Sequence, residues 1–388
     1  MKSIVFLSLL FFSFQFTIAQ SQSVSKNVSV IEVENPISLR RTNETITLCE
    51  AFLKKAFPHK KVLFIEVKDL KTNTLLVTQA IDDNADGIPE AFLFQTDFQA
   101  NEKKEFAIMR TAGATMDTPK VYAAYMSSKE GMEDFTWEND LIGYRFYGQE
   151  RAKLQGTGIA MDIWCKRVPE FLTEKWYIPG QSYHKDTGYG ADHYNSGKNQ
   201  GCGGTGIMKN DSIYFSKPFH DWKIIANGPI RVVFELKFTG WTFNKDMVET
   251  KRVTFDAGQY FNKIESRYDV DITSLGYQHT VSFVQRDDSD AKIEKDLGWF
   301  TSWESLGVSK GNLGTAFMAL PSSIVEIKNK NKHLVALIQP ESGNGFSYYI
   351  GAVWDQFGTI PSNEAWKVFV ANKADCIKNP CTVILKKR

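Results

Sequence analysis

The chain has 388 residues, 43% of them hydrophobic and 13% aromatic, which is enough for one large globular domain or two ordinary ones with a real core. Its 46 Lys and Arg residues balance 45 Asp and Glu to a formal charge of +1, which excludes a global field that would gather nucleic acid or an anionic membrane. An anionic ligand therefore has to be held by local groups.

At the N-terminus, Met1 and Lys2 precede an apolar-rich run from Ile4 to Ile18, and Thr17-Ile18-Ala19 stands before Gln20. A charged start, an apolar middle and a small residue at the cut predict a secretory signal over residues 1–19. The run is too short for a retained membrane span, and no cysteine near the cut offers a lipid anchor. The expectation is a periplasmic protein without membrane insertion after cleavage, forming a single catalytic domain over 20–388.

Beyond the leader the chain reads as strands. Period-two alternation is clearest at Val232, Phe234, Leu236 and Phe238 and at Ile264, Ser266, Tyr268, Val270 and Ile272. Similar runs are predicted at 62–69, 74–80, 91–98, 104–109, 120–126, 211–215, 278–285, 315–319, 333–338 and 347–354, nearly all bounded by turn residues. With little helical periodicity between them, the expected fold is mainly β, a large antiparallel β-sandwich with few short helices. The clearest helix follows Pro361, where Ser362 can cap a face carrying Ala365, Trp366, Phe369 and Val370.

Three segments carry chemistry-bearing residues. Asp82, Asn84, Asp86 and Gly87 resemble the start of a calcium loop, but the far acidic ligand is missing at the usual spacing and strands flank the segment, so a hairpin turn is expected. From Trp137 to Lys166, Asn139, Arg145 and Lys166 are interleaved with aromatics, a composition suited to stacking sugar rings and fixing a carboxylate or sulfate. From Trp176 to Gly206 lies a glycine-rich segment with Tyr183, His184, Asp186, Tyr189, Asp192, His193 and Tyr194, irregular backbone of the kind that carries active-site groups on a scaffold. Imidazoles and carboxylates on one loop can also converge on a metal, yet no compact His pair supports one, and no metal or cofactor is expected. No nucleophile elbow or phosphate loop occurs, and GCGGTG around Cys202 reads as a tight turn. Cys49, Cys165, Cys202, Cys376 and Cys381 allow at most two bridges in an exported protein; Cys376 and Cys381 are close enough to clip a terminal loop.

In this order, WENDLIGYRFYG, GIAMDIWCK, WY, YHKDTGYGADHY and GCGG resemble the secreted Bacteroidetes proteins grouped as domain of unknown function 4861, over most of the mature chain. The resemblance implies an oligosaccharide dehydratase of ulvan breakdown, which removes water from a terminal glucuronic or iduronic acid to leave a 4,5-unsaturated uronate. Its partner would be an anionic oligosaccharide, not nucleic acid.

The individual roles are inferred from the chemistry. The C5 proton is α to a carboxylate, so a cation must neutralise developing charge, a base must take the proton, and an acid must protonate the departing C4 hydroxyl. Arg145 is expected to grip the carboxylate through its planar fork, with Lys166 and Asn139 in reserve. His184 is the expected base, Tyr194 the acid, and Asp192 or Asp186 the group orienting the imidazole. Trp137, Trp176 and Tyr183 are expected to stack on substrate, and His279, on a predicted strand, to face the cleft. A polysaccharide lyase, a glycoside hydrolase using Glu138 and Asp162, and a non-catalytic carbohydrate-binding protein are the alternatives.

Overall fold

A computed structural model describes residues 27–113, 117–127, 133–178, 182–340 and 344–386; the expected leader lies outside the described residues. The largest sheet has eight strands, in the order Asp221–Asn227, Arg231–Phe238, Glu249–Asp256, Phe261–Tyr268, Gly345–Trp354, Asn312–Met318, Trp299–Ser305 and Asp290–Glu294. Two five-stranded sheets share a hydrophobic core with it. One runs Gly190–Ala191, Asp162–Lys166, Gly143–Tyr147, Glu133–Asn139 and Val121–Ser127; the other runs Ser212–Tyr214, Cys202–Lys209, Gln278–Val284, His333–Ile338 and Ile324–Asn329.

Alternation explains how the layers meet. Along Glu249–Asp256 every second residue is buried, ending with Val253 and Phe255 in the shared core, while Thr250, Arg252, Thr254 and Asp256 point away. Phe135 meets Phe234 across the layers with ring centroids 4.4 Å apart, and Phe283 meets Phe300 at 4.9 Å. The expected antiparallel sandwich is thus the architecture observed, with strands Ala91–Phe98 and His333–Ile338 at the expected bounds.

A second core lies in the N-terminal part, under the sheet ordered Thr382–Leu385, Val28–Glu34, Lys103–Arg110, Ile65–Asp69 and Leu75–Leu76 and the three strands Arg41–Cys49, Ala91–Phe98 and Thr78–Ile81. Gln79 ties it to the large sheet: its Oε1 accepts from the amides of Ile230 and Arg231, and its Nε2 donates to the Arg231 carbonyl. The helix Asn363–Lys378 starts at Ser362, whose hydroxyl accepts from the Ala365 amide, and buries Trp366 and Val370 against Tyr260 and Phe261 of the large sheet. Among the described residues no helix is long and apolar enough to cross a membrane.

Residues 82–90 form the connection between antiparallel strands, so the calcium-like segment is a hairpin loop. Asp82, Asp86 and Glu90 gather there, but both Asp82 oxygens already accept amides, from Asp86 and Gly87. All five cysteines are free thiols, with Cys165 and Cys202 deep in the sandwich, so the bridges expected from cysteine count do not form.

His279 does not face a cleft. Its ring lies inside the sandwich, 4.9 Å from both Tyr268 and Phe346, and neither nitrogen has a partner. Burial pushes its pKa from 6.5 down to about 4. The folded state therefore refuses a proton that the unfolded chain accepts, and stability falls as pH drops from 6.5 towards 4. The expected loss is about 3 kcal/mol. In urea titrations His279→Phe should weaken this acid dependence relative to wild type; parallel curves would remove His279 as its source.

Candidate functional site

The segment expected to line a sugar groove is instead three adjacent strands buried on both faces. Phe135, Trp137, Tyr144, Phe146, Ile163 and Cys165 point into the sandwich core. The alternate residues Asp134, Thr136, Glu138, Arg145, Tyr147, Asp162, Trp164 and Lys166 occupy the other face, which is also buried. Apolar and mainly polar residues alternate along these strands, but because both faces are covered the polar face does not mark a surface in contact with water. Antiparallel register sets Arg145 opposite Asp162 on one side and opposite Thr136 on the other.

The histidine loop closes over this outer face. Gly190–Ala191 pairs with Cys165 and Lys166, docking the loop on the sheet edge. Glycine is required at 190, where φ is +95° and a Cβ would stand 1.9 Å from the Cys165 carbonyl oxygen. The Asp192 amide donates to the Tyr183 carbonyl, which places both side chains over the strands.

Beneath the loop lies a network of ions. Arg145, only 1% exposed, donates from Nε and Nη2 to Asp162 Oδ2 at 3.1 and 2.5 Å, and from Nη2 to Asp192 Oδ2 at 2.8 Å. Nη2 also meets the Tyr147 hydroxyl at 3.0 Å, and Nη1 the Tyr183 hydroxyl at 3.2 Å. Arg151 binds Asp134 at 2.8 Å and shares the Tyr183 oxygen at 3.0 Å. Two guanidiniums thus face three buried carboxyls, so one carboxylate is in excess. Burial and then the neighbouring Asp162 push Asp192 from 3.8 up to about 7, against the pull of Arg145. Asp192 is also the member next to solvent: its Oδ2 lies 3.7 Å from Nδ1 of His184, whose side chain is 67% exposed. The Tyr183 ring packs against that imidazole at 4.7 Å.

The structure brings together Arg145, Tyr183, His184 and Asp192 of the expected site residues and places the others elsewhere. Arg145 itself is spent on protein acceptors and has no face for a substrate carboxylate. Lys166 is fully buried, donating at 2.6 Å to both Glu138 and the Asn139 carbonyl. Asn139 holds the Asp256 and Gln259 carbonyls through Nδ2 and the Leu141 and Ile142 amides through Oδ1. Trp137 is in the core with its indole N–H on Asn262, and Trp176 is packed beneath the loop between Trp164 and Tyr183. Tyr194 belongs to the sandwich core, where burial raises its pKa well above 10, far from an acid working near neutrality. Asp186 is fixed by Arg167 and by the Gly188 and Gly190 amides.

Tyr147, Asp134, Arg151 and Arg167 were missed as partners. A local signal existed only for Tyr147, two residues from Arg145 on the same strand face.

This sandwich with its buried ion network belongs to a family of proteins described as a domain of unknown function (DUF4861), whose model matches residues 33–383; the chain is a member. An uncharacterized protein P7 from Formosa agariphila is 28% identical over 380 residues, covering 92% of this chain and 93% of its own length. The crystal structure of a protein in the glycosyl hydrolase family 38 from Enterococcus faecalis is similar in fold, with a TM-score of 0.51 at 10% identity. That likeness covers 94% of this chain, which spans 48% of the other.

Proposed function

We propose that this protein is an exported oligosaccharide dehydratase acting on a terminal uronic acid, with His184 as the proton-transfer group. The observation that carries the reading is the exposed His184 imidazole 3.7 Å from Asp192, a carboxyl that burial has brought to titrate at about 7. A base backed by such a carboxyl is suited to taking a weakly acidic C–H proton, because the charge it gains is met at once. The name of the Enterococcus fold neighbour, a glycosyl hydrolase family member, supports carbohydrate as the substrate class.

In glucuronate the C5 hydrogen and the C4 oxygen lie on the same side of the ring. His184 removes the C5 proton, the electron pair forms the C4–C5 double bond, and the C4–O bond breaks as the same proton passes to the hydroxyl, which leaves as water. This assigns to one imidazole the acid role expected of Tyr194. Glu138 and Asp162, the pair expected for hydrolysis, are both fully buried.

Mass spectrometry of treated glucuronate-terminated oligosaccharides is the test. The expected product has lost one water without chain shortening and gains the ultraviolet absorbance of a conjugated uronate. Shortened chains with unsaturated ends would make the protein a polysaccharide lyase, and new saturated reducing ends a hydrolase.

A further inference from the structure

With Arg145 enclosed, an acidic substrate needs another cation, and the loop holds one. We infer that Arg167, laid over Trp354 and tethered by Asp186, is the receptor for the carboxylate of the substrate. The inference rests on the uronate reading above and names the residue that gives it specificity for an acid.

Arg167 immediately follows the strand Asp162–Lys166, and its amide donates to the Tyr189 carbonyl, so its backbone is fixed between sheet and loop. Its Nε and Nη2 contact Asp186 Oδ2 at 2.9 and 2.8 Å. The other Asp186 oxygen accepts the Gly188 and Gly190 amides at 2.8 and 3.0 Å, which holds the tether still. The guanidinium carbon lies 4.6 Å from the Trp354 ring centroid, and Trp354 is immobilised in turn by its N–H on the Lys310 carbonyl. Neither contact with Asp186 uses Nη1, and the side chain remains 37% exposed.

An exposed ion pair with two free side chains is worth little. This one differs because the plane of the guanidinium is set by the indole and its rotation by the carboxylate. A fork held in place loses little freedom when it meets an incoming carboxylate. His193 stands against the same indole, its ring centroid 6.0 Å from that of Trp354. Burial, Lys310 and Arg167 lower its pKa from 6.5 against the pull of Asp186, which disfavours a second positive charge beside the anion receptor. Trp354 thus aligns a cation and a histidine on one platform at the edge of the loop that carries His184.

The experiment compares a glucuronate-terminated oligosaccharide with its methyl ester, by calorimetric binding and by turnover, in wild type, Arg167→Gln and Arg167→Lys. Wild type should bind the acid in preference to the ester. Arg167→Gln should weaken binding of the acid about 10- to 100-fold, the usual weight of a charge-assisted hydrogen bond, and leave binding of the ester nearly unchanged. Arg167→Lys should fall between them, since it keeps the charge without the fork. Equal losses on acid and ester would mean that Arg167 only latches the loop through Asp186, and would overturn the proposal. Unchanged acid binding in Arg167→Gln would overturn it as well. A wild type that prefers the acid through Arg167 yet eliminates no water would support this receptor while refuting the dehydratase reading.

Discussion

His184→Ala is expected to lower turnover of a uronate-terminated oligosaccharide by about 10²- to 10⁴-fold, the range for loss of a positioned acid–base group. The protein should remain folded, because the imidazole is mostly exposed and its only described ionic partner is Asp192 at 3.7 Å. Asp192→Asn tests the same couple from the other side. It keeps the shape next to Arg145 but removes the carboxylate, so kcat should fall and the pH dependence of kcat/KM near 7 should flatten. Near-normal kcat in folded His184→Ala would take His184 out of the reaction. An unchanged pH profile in Asp192→Asn would leave Asp192 a structural anchor of the loop.

Arg145→Met should do the opposite, damaging the fold before the chemistry. It removes the guanidinium while Asp162 and Asp192 stay buried, and breaking a buried pair in this way costs about 3–5 kcal/mol. Urea unfolding should show a loss of that size, with Arg145→Lys recovering only part because an ammonium cannot reach Asp162, Asp192 and both tyrosines from one plane. Combining Arg145→Met with Asp162→Asn should cost less than the sum of the two, since each change relieves part of the other's unpaired charge. A loss below about 1 kcal/mol for Arg145→Met would refute the structural role.

These two variants mark the boundary of what the sequence can say. Half-buried strands such as Arg231–Phe238 announce themselves because one face meets water and the other does not. The strands carrying Asp134, Arg145 and Asp162 are wet on neither face, so their pattern looks like a mixture of charge and aromatic residues, and such a mixture suggests a groove. Residue type alone cannot tell a guanidinium that waits for a ligand from one already satisfied by its neighbours. That distinction depends on register, on Asp162 falling opposite Arg145, and on a later loop folding back to add Asp192, 47 residues after Arg145. The His184–Asp192 pairing was legible because both lie within one glycine-rich segment. The Arg167–Trp354 stack was not, since Trp354 ends a strand of the large sheet while Arg167 follows a strand of a different sheet, far away in sequence.

The strand Thr382–Leu385 lies beside Val28–Glu34, with Ile31 opposite Leu385. The first strand described therefore waits for the last one described to occupy its free edge. During synthesis the N-terminal sheet stays open along that side until Thr382–Leu385 has been made, and contacts this distant in sequence are slow to form. Once made, they close the polypeptide into a loop whose two ends are held by the same ladder. Removing Thr382–Leu385 would therefore be felt at Val28–Glu34, as an unpaired edge ready to join another chain.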